Sequence, residues 1–331
     1  MTLKRTVLKA CSSLMPDLYR PPASVLFPFA HIITDDPPAH VKHLFSIPNI
    51  AKFKLDLDFL CRQFRPLQIA ELEQLPRLRD NKRLARTFIL SFDDGMREIY
   101  DIIAPILRDK GIPAIFFLNS ATIDNKRLMW RHKISLLIDR SKRQPGRIPP
   151  QIKLRPGESL PAKLKTLRFA DERILDDVAR FFEVDFDDYL RRCEPYLTTS
   201  QVSELSRAGF EFGSHSDSHP YFYELAVEDQ RKQISASVDF IQRLGLPCRY
   251  FAFPFHDNGV PTCVFRYMTD LGLILSFGTS EARVDSVAFS FQRFSIDARG
   301  AANPSIRDIL RELSVKSLAR RVSRTEVIRR N

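Results

Sequence analysis

The chain has 331 residues, 44% of them apolar, enough for a substantial core in one large domain or two small ones. A formal net charge of +11, from 51 Lys and Arg against 40 Asp and Glu, points to anionic company: acidic glycan, sugar phosphate, nucleic acid or a lipid surface. No apolar run approaches the length of a bilayer-spanning helix, which excludes that class of membrane protein.

The first twenty residues start with the basic Lys4 and Arg5, but Lys9 interrupts the apolar run and Pro16-Asp17 ends it. That pattern argues against a secretory signal and leaves room for an amphipathic turn that touches a membrane. Five cysteines, Cys11, Cys61, Cys193, Cys248 and Cys263, are odd in number and form no C-x-x-C pair, so they read as reduced thiols of a cytoplasmic chain. Beyond this point apolar strand-like runs alternate with helical patterns, the mark of an α/β protein with a parallel sheet. Strands are expected near 24–32, 87–92, 113–118, 210–214, 249–253, 273–277 and 291–296. Helices are expected over 97–110, closed by Gly111, over 227–244, closed by Gly245, and from a Thr198/Thr199/Ser200 cap to Ala208, stopped by Gly209. Seven strands fall one short of the common eight-fold barrel.

Two stretches stand out. Ser91-Phe92-Asp93-Asp94-Gly95 closes the strand at Thr87–Leu90, and Asp-Asp-Gly is good turn chemistry on its own. Far downstream, His215-Ser216-Asp217-Ser218-His219 follows another strand-like run. Imidazoles four residues apart can point at one centre from a tight loop, and one added carboxylate makes a metal site with open positions. In a parallel barrel, reactive residues gather at the carboxyl ends of the strands. His31, Asp93, Asp94, Asn119, His215, His219, Phe255 and Thr279 all fall at or just after such ends.

Ser-Phe-Asp-Asp-Gly, then His-Ser-x-x-His, then Phe251-Ala252-Phe253-Pro254-Phe255 resembles the polysaccharide deacetylase family, carbohydrate esterase family 4, from about Val25 to Ile296 with one long interruption. The resemblance implies a distorted (β/α)7 barrel. It implies Asp94, His215 and His219 as ligands of a divalent metal; Zn2+ is the expected ion, and Co2+ or Ni2+ suits the same donors. Asp93 is then the general base, and a backbone N–H near Phe255, in a loop fixed by Pro254, serves the oxyanion. Ser216 and Asp217 read as groups that orient the imidazoles or their loop. By spacing alone, Phe251–Phe255 is equally an ordinary aromatic strand. Two departures stand against the family pattern. Ala252 occupies the place of an Arg that normally holds the catalytic Asp, with Arg293 or Arg283 as substitutes. No His follows His256, although the family's last motif supplies one as general acid; His31 is the first replacement by position, and His256 the second.

The interruption spans 126–197. Its first part, 126–168, has thirteen Lys/Arg against only Asp139 and Glu158, and its second, 171–188, has eight acids against Arg173 and Arg180. Such a charged, mainly helical insertion suits a lid or a docking surface for an anionic acceptor; as a solvated excursion with internal ion pairing it needs neither role. Trp130 and His132 within it suit sugar binding, and a lone Trp suits packing as well. Residues 1–304 thus read as one catalytic barrel that includes the insertion. Residues 305–331 read as a basic C-terminal helix or tail that lies on anionic lipid or frays in solvent.

The expected activity is that of a metal-dependent hydrolase removing an acetyl group from an N-acetylated amino sugar in a polysaccharide or glycan precursor. Charge and absent targeting favour a cytoplasmic enzyme acting on lipid-linked or phosphorylated sugar, with peripheral membrane contact through the basic insertion and tail. A deformylase or other amide hydrolase on lipid-linked sugar would use the same centre, and a glycan-binding pseudoenzyme would keep the barrel without turnover. Nucleic acid is not an expected partner, because no recognised module for it is present.

Overall fold

The computed structural model describes residues 25–75, 84, 86–281, 283, 285–297, 304–323 and 326–330. The N-terminal turn considered for membrane contact, and Cys11 with it, lie outside them. The barrel is built from β1 (Val25–Leu26), β2 (Pro28–Ala30), β4 (Thr87–Phe88), β5 (Leu90–Phe92), β6 (Ala114–Leu118), β7 (Glu211–Ser214), β8 (Tyr250–Ala252), β9 (Leu275–Gly278), β10 (Ser290–Gln292) and β11 (Phe294–Ser295). Its main sheet has the order β10-β9-β8-β7-β6-β5-β2-β11, with every pairing parallel. Only Arg293 separates β10 from β11, and its N–H donates to the Gly278 carbonyl at 2.9 Å. One continuous run therefore bonds β9 on one side and β2 on the other, and the eight strands form a nearly closed barrel of seven staves, as the resemblance implies. A smaller sheet adds β3 (Arg65–Pro66) beside β4 and β1.

Side-chain alternation along the staves divides the core. In β6, wholly buried as expected of a parallel strand covered on both faces, Ile115 and Phe117 join Phe27, Ile89, Tyr250, Leu275 and Phe277 inside the barrel. Ala114, Phe116 and Leu118 face outward onto the helices. Gly213 leaves the space that Phe117 fills, since a Cβ there would lie 2.4 Å from the Phe117 ring.

The expected helices form, with one difference. Over 97–110 the chain makes a π-helical turn at Ile99–Ile103 before α3 (Ala104–Asp109), following α1 (Ile50–Gln63) and α2 (Ile69–Leu72). Pro105 explains this: it has no N–H to donate, and the Ala104 N–H reaches back to Ile99 instead. The insertion contributes α4 (Trp130–Arg143), α5 (Leu160–Thr166), α6 (Glu172–Phe182) and α7 (Phe186–Cys193). They pack around their own apolar cluster, which includes Trp130, Leu137, Leu164, Val178 and Phe182. Its two oppositely charged parts pair with each other: Lys133 reaches Glu172 and Asp176, both at 2.9 Å, and Arg127 also reaches Glu172. Next comes α8 (Thr199–Arg207), whose first turn is closed reciprocally by Thr198 and Gln201. The remaining helices are α9 (Val227–Arg243), α10 (Thr262–Asp270) and α11 (Ile306–Ser323).

The C-terminal segment differs from a free tail. Ile306, Ile309, Leu310 and Leu313 of α11 are buried in the same core as Phe53 and Leu57 of α1, and the Asp56 carboxylate accepts the Ile306 N–H at 2.9 Å. Val327 and the Arg329 side chain are also buried. The helix expected from the sequence forms, and the barrel covers its apolar face.

Candidate active site

β5, β7 and β2 each end where a polar group begins: Phe92 leads into Asp93 and Asp94, Ser214 into His215, and Ala30 into His31. With His219 and Phe255, these residues line a cavity of about 260 Å3 at the carboxyl ends of the staves. The backbone is unusual here, since Asp94, Ser216, His219 and Phe255 all have positive φ, at 73°, 67°, 59° and 58°. Non-glycine residues held in the left-handed region gather at functional sites.

Asp94 Oδ1 lies 3.6 Å from His215 Nε2 and 3.4 Å from His219 Nε2. These separations exceed a hydrogen bond, and Asp94 Oδ1 is buried with no hydrogen-bond partner among the described residues. His215 Nδ1 sits 2.7 Å from the Ala252 carbonyl, which assigns its proton there and leaves the Nε2 lone pair turned to Asp94. Burial pushes both imidazoles down, His219 far down, so they are neutral, as ligands must be. Burial pushes the Asp94 carboxyl up against the pull of His31 and His215. Three donor atoms within 4.8 Å of one another on buried residues, the Asp94 oxygen among them unsatisfied, fit a divalent cation that takes nitrogen and oxygen ligands. Around them, Asn119 donates to the His215 carbonyl at 2.5 Å, Ser216 Oγ accepts the His219 N–H at 3.1 Å, and Ser120 donates to Asp217 at 2.6 Å. Ser216 and Asp217 thus shape the loop. Trp130 is a packing anchor, with 1% exposure and an indole N–H that donates to the His219 carbonyl at 2.9 Å.

Asp93, adjacent in sequence, has a different setting. Arg293 grips it bidentately, Nη1 to Oδ1 at 2.7 Å and Nη2 to Oδ2 at 2.8 Å. The guanidinium lies over Phe29 and Phe117, 4.3 and 5.2 Å from their ring centres. Burial alone would raise the Asp93 pKa, but Arg293, His215 and His31 outweigh it and hold the carboxyl below its ordinary value. His31 Nδ1 meets Asp297 Oδ2 at 2.5 Å. Desolvation opposes its charge, yet Asp297, with Asp94 and Asp93, raises the imidazole to about 9. Nε2 is thereby the nitrogen left free of Asp297. Phe255 stacks on Tyr221 at 3.7 Å and meets the His219 ring edge-on at 4.6 Å. Its carbonyl accepts from Thr279 Oγ1 at 2.5 Å, and among the described residues no acceptor takes its N–H.

A sequence model of the polysaccharide deacetylase family matches residues 80–273, more than half of the chain. The chain belongs to the polysaccharide deacetylase family. Among solved structures, it is similar to the Streptococcus pyogenes deacetylase PplD in complex with acetate, at 16% identity and a TM-score of 0.56, covering 89% of this chain and 99% of that one. It is also similar to IcaB from Ammonifex degensii, at 15% identity and a TM-score of 0.54, covering 87% of this chain and 97% of that one. At these identities the likeness bears on the fold. No curated protein sequence matches significantly.

His31, Arg293 and Asp297 all lie outside the segment matched to the deacetylase family, and the structure brings all three to Asp93 or the cavity. Arg293, not Arg283, stands against Asp93 where Ala252 leaves the usual Arg missing. His31 lines the deacetylase cavity, whereas His256 is outside its lining and stacks on Tyr223 at 5.0 Å. Asp297 escaped the sequence reading, although it too follows a strand end and the same positional criterion would have found it. His132, read from the sequence as suiting sugar binding, lines the cavity from the insertion, whereas its neighbour Arg131, also in the lining, carried no signal.

Proposed function

We propose that this family member is a metal-dependent hydrolase that removes the acetyl group from an N-acetylated amino sugar within a glycan. The observation that carries the reading is the buried Asp94 oxygen, without a hydrogen-bond partner among the described residues, facing two neutral imidazoles in one cavity with Asp93 and His31. A divalent cation held by Asp94, His215 and His219 would supply a more acidic bound water and polarise the acyl oxygen. Asp93, ionised and aimed by Arg293, takes the proton of the attacking water. The free N–H of Phe255 donates to the developing oxyanion. His31, protonated through neutral pH and oriented by Asp297, gives its Nε2 proton to the leaving nitrogen. A volume of about 260 Å3 lies below the ~300–1,000 Å3 of drug-sized pockets, which suits one sugar unit at a time.

The missing Arg and His favoured a pseudoenzyme; Arg293 against Asp93 and His31 in the cavity weigh for turnover instead. Free Cys61, Cys193, Cys248 and Cys263 agree with a reducing, cytoplasmic setting for the enzyme. No described helix is long and apolar enough to cross a membrane. Acetate release from N-acetylhexosamine oligomers tests the reading, comparing metal-loaded protein, chelated protein and Asp93→Asn. Release that requires both metal and Asp93 is expected; release from chelated protein, or undiminished release by Asp93→Asn, refutes it.

A further inference from the structure

We propose that the substrate carries an oxyanion, a phosphate or carboxylate near the acetylated sugar, and that Arg131 at the cavity wall binds it with Lys165 and Arg168 on the rim. The inference rests on the deacetylase reading and names the substrate class of that site. Arg131 lines the cavity from the first turn of α4. Its guanidinium lies 5.4 Å from the Trp130 ring centre and makes one long bond, 3.4 Å, to the Lys165 carbonyl. Among the described residues no carboxylate pairs with it. Elsewhere in the insertion the chain supplies counter-charges: Glu172 for Arg127, Glu172 and Asp176 for Lys133, and Asp139 for Arg143.

The neighbours of Arg131 add positive charge. Arg168 lies over the Tyr221 ring at 4.7 Å, and Tyr221 stacks on Phe255 of the cavity wall. The nearest acid to Arg168 is Glu224, at 3.7 Å. Burial and then Arg131 lower the Lys165 ammonium, and burial lowers Arg131 itself with Arg168 adding to the effect. The first turn of α4 holds no acidic residue and no capping side chain, so the helix adds its own positive end. His31 in the cavity and Arg293 behind Asp93 are already engaged, by Asp297 and Asp93. An anion would therefore settle on the rim, where a guanidinium offers bidentate donors. A neutral glycan would leave Arg131 and Lys165 without a counter-charge.

The test compares KM for N-acetylglucosamine 1-phosphate, a glucuronate-containing N-acetylglucosamine disaccharide and a neutral N-acetylglucosamine disaccharide. It uses the metal-loaded full chain at fixed ionic strength, native and as Arg131→Gln, Arg131→Lys and the exposed Arg168→Gln. The native protein should show a KM about tenfold or more lower for one charged substrate than for the neutral one. That preference should collapse toward one in Arg131→Gln, fall by about half in Arg168→Gln, and survive in part in Arg131→Lys. Which charged substrate gains separates phosphate from carboxylate. Equal KM for charged and neutral substrates in the native protein, or an unchanged preference in both Gln variants, overturns the inference. If nothing is deacetylated, the activity reading fails separately, and calorimetric titration with inorganic phosphate and with glucuronate decides the anion site. Binding of either that weakens in Arg131→Gln supports it; binding of neither overturns it.

Discussion

Asp94 in the cavity and Asp257 in the loop just beyond Phe255 are both buried, at 4% and 0% exposure, yet the chain treats them differently. Asp257 shares its site with Asp285, and Arg329 from the C-terminus enters between them. Arg329 Nη2 meets Asp257 Oδ2 at 2.6 Å and also contacts Asp285, while Nη1 donates to the Asp257 carbonyl at 2.5 Å. Gln292 Nε2 bridges the two acids at 2.8 and 3.0 Å. The chain thus neutralises this cluster from within, and the bonds from Gly259 to Ile328 and from Thr262 to Arg330 fasten the same loop. Among the described residues no cation pairs directly with Asp94: His31 acts on it only at a distance, and the groups next to its Oδ1 are the imidazoles of His215 and His219. A buried charge must be compensated. Compensation by Arg329 is structure; the unpartnered Asp94 oxygen is the feature on which the proposed metal site rests.

Substitutions at the two acids should separate most widely. Asp94→Asn should lose bound divalent metal, read by elemental analysis, and lower turnover on the order of 10³-fold or more, because metal and activated water fail together. In metal-free protein the same change should leave thermal stability unchanged or raise it, since it removes an unpaired buried charge. Arg329→Met should do the reverse: about 3–5 kcal/mol less stable in denaturant titration, from two stranded carboxylates, with metal content retained by the protein that remains folded. If Arg329→Met loses metal first, the two clusters are not independent.

A smaller effect should come from the pair beside the metal ligands. His31→Gln should lower turnover by roughly 10²–10⁴ while metal content stays intact. His31 has a folded-state pKa of about 9 against 6.5 ordinarily, so its stabilising pairing with Asp297 is fully present below 6.5 and is lost as pH rises through about 9. The alkaline limb of kcat/KM should therefore lie at or below about 9, since a bound cation pulls it downward, and Asp297→Asn should move it further toward 6.5. A limb unmoved by Asp297→Asn would remove His31 as the proton donor. Least of all, Thr279→Val deletes the hydroxyl that holds the Phe255 carbonyl, which should cost about 1 kcal/mol in transition-state stabilisation, a several-fold fall in kcat with little change in KM.

Much of this arrangement is legible in the sequence because it is local. Short continuous apolar runs mark the seven staves, and strand ends mark the mouth. Asp93 with Asp94, and His215 with His219, lie close enough along the chain to be read as motifs. The basic stretches are less legible for the same reason: a count of Lys and Arg from 316 to 330 does not say that Arg329 is engaged by Asp257 and Asp285. Nor does the insertion's alternation of basic and acidic halves say that Lys133 meets Asp176 while Arg131 meets no acid.

Barrel closure decided what spacing could not. β11 pairs with β2 in the register Ser295 to Phe29, and two residues further along each strand stand Asp297 and His31. That register, 266 residues apart in sequence, turns an ordinary strand-end histidine into one raised to about 9. The break between β10 and β11 likewise carries Arg293 to Asp93 across 200 residues, in the place left by Ala252. By itself the sequence determined the staves, the ligand motifs and the family, because local pattern and motif spacing encode them. Only the tertiary structure decided that Arg293 pairs with Asp93 and His31 with Asp297, because those pairings depend on the stagger at which the last stave meets the first.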